Sequence, residues 1–414
     1  MIRLATVFTG IGAIEQALIR LGIDHTIVFG CDNGDVELKL LPKPIQKRYE
    51  ELKKANKKEI LVGSEKEELE SYEKQETEMI ENITRTVASL ATKDEKREYI
   101  ESIYKNHSSQ KNYVKQSYFA NYDINPKDFH LDIRFLDGTD YNGMVDLLVG
   151  GSPCQSFSTV GKQLGFEDTR GTLFYEFARI VKEVQPKVFI YENVNGLTKN
   201  DNGRTLSTIK HIFRDELHYK VVDEQVLNAA DYGIPQTRRR MFIIGIREDI
   251  DCGEFSYPEP IERIYTMQDF LEENCADGHF TYNKQNGELI VGKVKGTPNP
   301  KFNLTEGVQK YVLASGTKTF KTSTETDLPI ARTLLKTMTQ HHRAGVDNYI
   351  TISENPKRLR ALTDRETLRL MGYPDSFKIV VSSPQIYRQS GNSIVVDVMM
   401  AIVKKIIETG VYNN

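Results

Sequence analysis

Val145-Asp146-Leu147-Leu148-Val149-Gly150, followed at once by Gly151-Ser152-Pro153-Cys154-Gln155-Ser156-Phe157, decides how this chain folds. The first six residues form a short, apolar run ended by glycines, the pattern of a buried parallel strand. A cysteine just past the carboxyl end of such a strand stands where open α/β sheets bind their ligands. Pro153 fixes one backbone angle beside it and removes one amide donor, so the thiol rides on a stiff loop. Cys154 is therefore a candidate nucleophile. The alternative is a buried structural thiol, the commoner fate of a free cysteine.

The same pattern recurs on either side. Residues 2–8 read as a strand, followed by Thr9-Gly10-Ile11-Gly12, a helix to about Leu21, and Gly22 as its stop. Ile27-Val28-Phe29 reads as a second strand, ending at Cys31-Asp32-Asn33. This βαβ opening suits a nucleotide-like ligand. Glycines let the backbone come close, and a carboxylate at the second strand's end accepts from ribose hydroxyls. An ordinary strand–turn–helix with glycines for geometry is the alternative. Phe129–Ile133, Lys187–Tyr191 and Met241–Gly245 are further strands. The second runs into Glu192-Asn193-Val194, and Arg238-Arg239-Arg240 precedes the third. Thr363 with Glu366 fits a helix-capping pair, and Gly391-Asn392-Ser393-Ile394-Val395 is expected to open a last helix to about Thr409.

Two stretches break the rhythm. From about Asp35 to Lys115 Lys and Glu dominate, with apolar residues at helical spacing (Ile45, Tyr49, Leu52; Leu69, Tyr72, Met79, Ile83, Val87, Leu90). Gly63-Ser64 interrupts the run, and both Ser64…Glu67 and Thr92…Glu95 fit capping boxes. Two or three amphipathic helices are expected here. A helical insertion with solvated charged faces is a better-supported reading than a clamp on a large partner. Residues 250–350 are rich in Thr, Lys, Asn and Gly, with short β-like runs such as Leu289-Ile290-Val291, and are expected to form a smaller irregular β-rich domain.

The 414 residues, 27% charged and 39% hydrophobic with net charge −3, suffice for two or three domains. No apolar run is long enough for a membrane span, and no signal peptide precedes the first strand. Cys31, Cys154, Cys252 and Cys275 lie far apart without a CxxC pair, which argues against a disulfide framework or zinc site and for a reducing cytoplasm.

Three strand ends thus bring a thiol (Cys154), a carboxylate (Glu192) and guanidinium groups (Arg238, Arg240) toward one cleft. Positive charge lowers a thiol's pKa, and a thiolate is a strong nucleophile. The carboxylate suits holding or protonating a polar ring, and the arginines suit anionic or carbonyl oxygen. Each also has a plain structural reading, as helix cap, ion pair or solvated basic face.

With these residues in view, the chain resembles the C5-specific DNA cytosine methyltransferases of the bacterial restriction–modification type. Phe8-x-Gly10-x-Gly12 resembles the methyl-donor loop, Asp132-Ile133 the adenine contact, and Pro153-Cys154-Gln155 the nucleophile loop. Asp168-x-Arg170-Gly171-x-Leu173-Phe174, Glu192-Asn193-Val194 and Gln236-x-Arg238-x-Arg240 follow in order. Arg360-x-Leu362-Thr363-x-Arg365-Glu366 and Gly391-Asn392-Ser393-Ile394 complete the series. It leaves uncovered the charged insertion and most of 250–350.

The resemblance implies an α/β, Rossmann-like S-adenosylmethionine-dependent methyltransferase domain made of residues 1–34 and 116–248, with 356–414 returning to it. It implies a helical insertion over 35–115 and a target-recognition domain over 249–355. Cys154 would attack C6 of a flipped cytosine while Glu192 binds its N3 and N4 edge. Arg240, with Arg238, would support the cytosine carbonyl and the nucleophile loop, and Ser156 to Thr172 would close as a lid. Phe8, Gly10, Gly12, Asp32, Asp132, Ile133, Pro153, Leu173, Asn392, Ser393 and Ile394 would form the donor pocket. Asp32 stands where the family more often has glutamate, and Asn33 replaces an apolar or aromatic residue, which puts adenine stacking there in doubt. Arg332, Lys336, His341, His342 and Arg343 are candidates for base or phosphate contacts. No metal is expected.

Lys111 to Tyr122 resembles the family helix that normally follows the second strand directly, which places the insertion on the cofactor side. Its deletion is expected to cost stability or partner binding before it alters the target sequence. The expected partners are double-stranded DNA and a restriction endonuclease acting separately, with the chain a monomer in a bacterial cytoplasm. A tRNA cytosine methyltransferase, a silent DNA-binding homologue and a redox thiol protein are the competing readings.

Overall fold

The computed structural model describes residues 1–58, 60–152, 173–316, 321 and 323–413. Pro153, Cys154 and the expected lid from Ser156 to Thr172, with Asp168, Arg170 and Gly171, lie outside the described residues.

The chain opens with β1 (Ile2–Val7), α1 (Ala13–Arg20) and β2 (His25–Cys31). The helices α2 (Lys43–Asn56), α3 (Gly63–Ser89) and α4 (Lys93–His107) follow, then α5 (Tyr113–Asn121). Next come β3 (Phe129–His130), β4 (Leu147–Gly150), α6 (Leu173–Val184) and β5 (Val188–Val194). After α7 (Arg204–His211) come β6 (Tyr219–Val221), β7 (Gln225–Asn228), β8 (Gln236–Thr237) and β9 (Arg239–Arg247).

Among the described residues all of these strands except β8 make one sheet in the order β3-β2-β1-β4-β5-β9-β6, with β7 also on β9; β8 pairs instead with the short strand Ala331–Arg332. The pairs from β3 to β5 are parallel; β9 runs antiparallel to β5, β6 and β7. Strand order reverses between β1 and β4, and the crevice outside the carboxyl ends at that point is where such sheets take ligands.

Period-two alternation places side chains on both faces. Leu4, Leu147, Val149, Val188, Ile190 and Ile244 face one core, closed by α1 and by α11 (Val396–Glu408). Ala5, Val7, Leu148, Phe189, Tyr191 and Ile243 face the other, closed by α6 and α7. With both faces covered, the central strands are apolar throughout, which is why they were legible as continuous runs.

The insertion carries two small cores of its own. Tyr49, Leu52, Leu61 and Leu69 join α2 to α3, and Ile83, Val87, Ile100 and Tyr104 pack α3 and α4 with Val36, Leu38 and Phe135. The Thr92…Glu95 capping box forms, with Glu95 N donating to Thr92 Oγ1 at 3.2 Å. The Ser64…Glu67 box does not. The helix starts two residues earlier, at Gly63, and Glu65 reaches back to Val62 N instead. Phe129–Ile133 pairs as a strand only through His130, because Asp132 caps a short 3-10 turn by accepting from Arg134 N at 3.0 Å.

The β-rich character expected of residues 250–350 is thin. The described strands there are β10 (Phe280–Tyr282), β11 (Leu289–Val291), the two-residue β12 (Ala331–Arg332) and the start of β13 (Tyr349–Glu354), beside α8 (Glu306–Val312). Loop side chains fill the space instead. Phe255, Met267, Phe270, Phe280, Leu334 and Met338 belong to the same core as the sheet. Then come β14 (Lys357–Ala361), α9 (Asp364–Arg369), capped as read by Thr363 and Glu366, and α10 (Ser383–Asn392). Gly391 and Asn392 therefore end α10 rather than open the last helix, which starts at Val396.

Candidate active site at the carboxyl edge of the sheet

Phe8, Gly10, Glu192, Asn392, Ser393 and Ile394 line one cleft, together with Thr6, Gly150 and Gly151. They come from the ends of β1, β4 and β5 and from the link between α10 and α11. Gly10 has φ +56°, and a Cβ built there meets nothing within 4 Å, so its backbone borders open space. Asp32, at the end of β2, fixes that loop. One carboxylate oxygen accepts from Gly10 N at 2.8 Å and the other from Gly34 N at 2.7 Å. Burial raises its pKa to about 6, partly offset by those two amides. A carboxylate has about four acceptor positions, so Asp32 keeps one free on each oxygen.

Glu192 lines the cleft with its side chain 14% exposed, and Arg240 Nε meets its Oε1 at 3.1 Å. Burial raises its pKa, and Arg240 and then Arg238 oppose that rise. The close approach of Gly151 matters here: a Cβ at that position would fall 2.6 Å from Glu192 Oε2 and 2.7 Å from its carbonyl oxygen. The loop leading to Cys154 thus leaves the sheet directly against the carboxylate. Asn193 Nδ2 donates to Ser152 O at 2.9 Å, and Ser152 Oγ meets Tyr191 Oη at 2.7 Å, which fastens the root of that loop.

Other expected residues go elsewhere. Arg238 is buried and turned from the cleft, donating to the carbonyls of Leu334 (3.0 Å), Gly391 (2.9 Å) and Ser393 (2.8 Å). Burial and Arg240 push its pKa down to about 9, which leaves it charged at neutral pH. Gly12 faces Tyr122, whose hydroxyl donates to the carbonyls of Ile11 and Gly12. Ile133 is packed in the core beside Cys31 and Leu136. Asp132 is buried and engaged by Arg134 and by Tyr104 of α4. Leu173 begins α6, half-buried against the core on that face.

A family model described as C-5 cytosine-specific DNA methylase matches residues 96–408. The chain belongs to that family. It is therefore a DNA (cytosine-5) methyltransferase. It is 37% identical over 271 residues to the type II methyltransferase M.HpaII of Haemophilus parainfluenzae, covering 64% of this chain and 72% of that protein. Over 289 residues it is 39% identical to the type II methyltransferase M.PspPI of Psychrobacter sp. (strain TA137), covering 67% of each. Its fold is similar to that of the S. pombe Dnmt2 methyltransferase, with TM-score 0.58, 16% identity and 99% of each chain covered.

For a methylase cleft, the sequence reading missed the tyrosines. Tyr122 anchors the donor-side loop and Tyr191 the nucleophile-side loop, each through its hydroxyl. Tyr191 closes an apolar strand and Tyr122 follows a helix, so both read as core; a hydroxyl in such a place needs a partner when buried, and that was the available signal.

Proposed function

We propose that this methylase modifies cytosine within one short sequence of double-stranded DNA, using S-adenosylmethionine, as the modification half of a restriction–modification pair. The observation that carries this reading is the shared cleft. It holds a buried carboxyl (Glu192), raised in pKa by burial and braced by Arg240, the open Gly10 backbone and the Asn392–Ile394 link, at the root of the Cys154 loop.

The cleft fits the donor. Gly10 leaves room for close approach, and Asp32 keeps acceptor capacity suited to two ribose hydroxyls. Asn392, Ser393, Ile394 and Phe8 would wall the pocket. When bound, S-adenosylmethionine supplies an electrophilic methyl group.

The chain's own residues do the rest. The target cytosine leaves the duplex, since its ring atoms are out of reach in the stack. Cys154, as the thiolate left when its proton passes to water, bonds through Sγ to C6, and the displaced electron pair reaches C5 as Glu192 supplies a proton at N3. A carboxyl whose pKa is raised is suited to hold that proton. Arg240 keeps Glu192 in place and supports the cytosine carbonyl. After C5 is methylated, loss of its proton to water breaks the S–C6 bond, frees the Cys154 thiolate and lets the N3 proton return to Glu192. Residues 249–355 read the sequence. Arg332 Nε donates to Ala344 O and the His342 ring meets Thr337 Oγ1 at 2.9 Å, which engages both side chains within the protein, whereas Lys336 is exposed and free to meet phosphate.

Bisulfite sequencing of varied DNA incubated with the purified protein and S-adenosylmethionine tests this, with Cys154→Ala as control. Protected cytosines are expected in one short context and not with the variant. No protected cytosine would end the DNA reading in favour of tRNA or a silent homologue.

A further inference from the structure

The inserted segment reaches the donor side of the cleft at two points, one on α4 and one at its junction with α5. Tyr104 of α4 donates its hydroxyl to Asp132 Oδ2 at 2.8 Å, and both residues are buried. Arg134 fills the remaining positions of the same carboxylate, through N and Nε at 3.0 Å to Oδ1 and Nη2 at 2.6 Å to Oδ2. With its lone pairs so fully used, Asp132 acts through the loop that it fixes, residues 131–134, rather than through a free oxygen.

The second point is Asp32. Asn112, which caps the start of α5 where the inserted segment rejoins the body, donates its amide to the Asp32 carbonyl at 2.7 Å, and Gly34 lies so close to Asn112 that a Cβ would overlap it. From there the outgoing and returning chains run side by side. Glu37 N donates to Gln110 Oε1 at 3.0 Å, and Lys39 N to His107 O at 2.9 Å. Lys96 of α4, with its side chain 13% exposed, pairs with Asp137 and Asp140 beyond β3. The loops after β2 and β3 are thus both held from the insertion.

We infer that the helical insertion is a working part of the methyl-donor site, with Tyr104 and Asn112 as positioning residues that set the loops of Asp132 and Asp32. The inference rests on the proposed use of S-adenosylmethionine at this site. It distinguishes a support for the donor pocket from an ornament on the surface. A hydrogen bond to a buried carboxylate is among the stronger kinds, so removing one hydroxyl loosens the loop without opening a cavity.

The test is calorimetric titration of the full chain with S-adenosylhomocysteine, comparing Tyr104→Phe with the parent. Binding is expected to weaken roughly tenfold. The KM for S-adenosylmethionine should rise by a similar factor while kcat and DNA affinity stay within about twofold. Asn112→Ser is the second variant. It keeps an oxygen for the Lys115 amide that Asn112 caps at 2.8 Å but cannot reach Asp32, and it should shift binding in the same direction. Unchanged binding in the folded variants overturns the inference. So does tighter binding, which would make Tyr104 a competitor of the donor. Failure of the parent to bind S-adenosylhomocysteine would instead overturn the proposed function, and this with it.

Discussion

Asp32 is the residue on which donor binding should depend most visibly. Its carboxyl group titrates at about 6, raised by burial. Above that value it is a carboxylate able to accept from ribose hydroxyls; below it the group is neutral and that capacity falls. The affinity for S-adenosylhomocysteine is therefore expected to be level from about pH 7 upward and to weaken as pH drops through about 6. Calorimetric titrations across that range check it, and Asp32→Ala should bind weakly with little dependence on pH. The stability term runs the other way. A carboxyl whose folded pKa is raised takes up a proton on folding, so its contribution is greatest in acid and is lost as pH rises through about 6. An affinity that rose on acidification would contradict the placing of Asp32 at the donor.

At the scale of elements, the approach to β9 separates two arginines that the sequence offers as one group. Arg238 closes the gap between β8 and β9, and its three bonds tie residue 334 and the α10–α11 link to the sheet. Arg240, within β9, points into the cleft at Glu192. Arg238→Met leaves three buried carbonyls without that donor and should lower stability by about 3 kcal/mol, read as a fall in the denaturation midpoint. Arg240→Lys should leave the midpoint nearly unchanged and reduce kcat. Equal loss of stability in both would refute the division. The same contrast shows what the sequence could tell. The strand runs around Leu148, Ile190 and Ile243 were readable because burial on both faces demands continuous apolar residues. Glu192 and the Gly10 loop were readable because they sit at the ends of such runs. The direction of Arg238 was not, because it depends on carbonyls nearly a hundred and more residues away along the chain. The last helix was misplaced for a similar reason: Gly391 packs against the backbone of Leu335 and Lys336, a contact with no local signature.

Across the whole molecule, the insertion interrupts a sheet that is otherwise wound in the usual order. The family match begins at residue 96, inside α4, while β1 and β2 lie on the far side of α2 and α3. The chain nevertheless leaves and re-enters the methylase body at one place, since Lys39 and His107 are hydrogen-bonded to each other. Entropy of loop closure grows slowly with length, so a long insertion at such a point costs the sheet little. For the same reason it can be cut out. Replacing residues 42–105 by a few glycines and serines should leave the sheet intact, because neither face of its core draws on α2 or α3. It removes Tyr104 and the Val87–Ile100–Phe135 packing, so the melting temperature and the affinity for S-adenosylhomocysteine should both fall. The cytosine context protected in bisulfite sequencing should stay the same, since the proposed reading surface lies in 249–355, on elements the excision does not touch. A shortened chain that methylates a different sequence would show that the insertion helps to read DNA; one that binds the donor as tightly as the full chain would show that it serves neither end of the site.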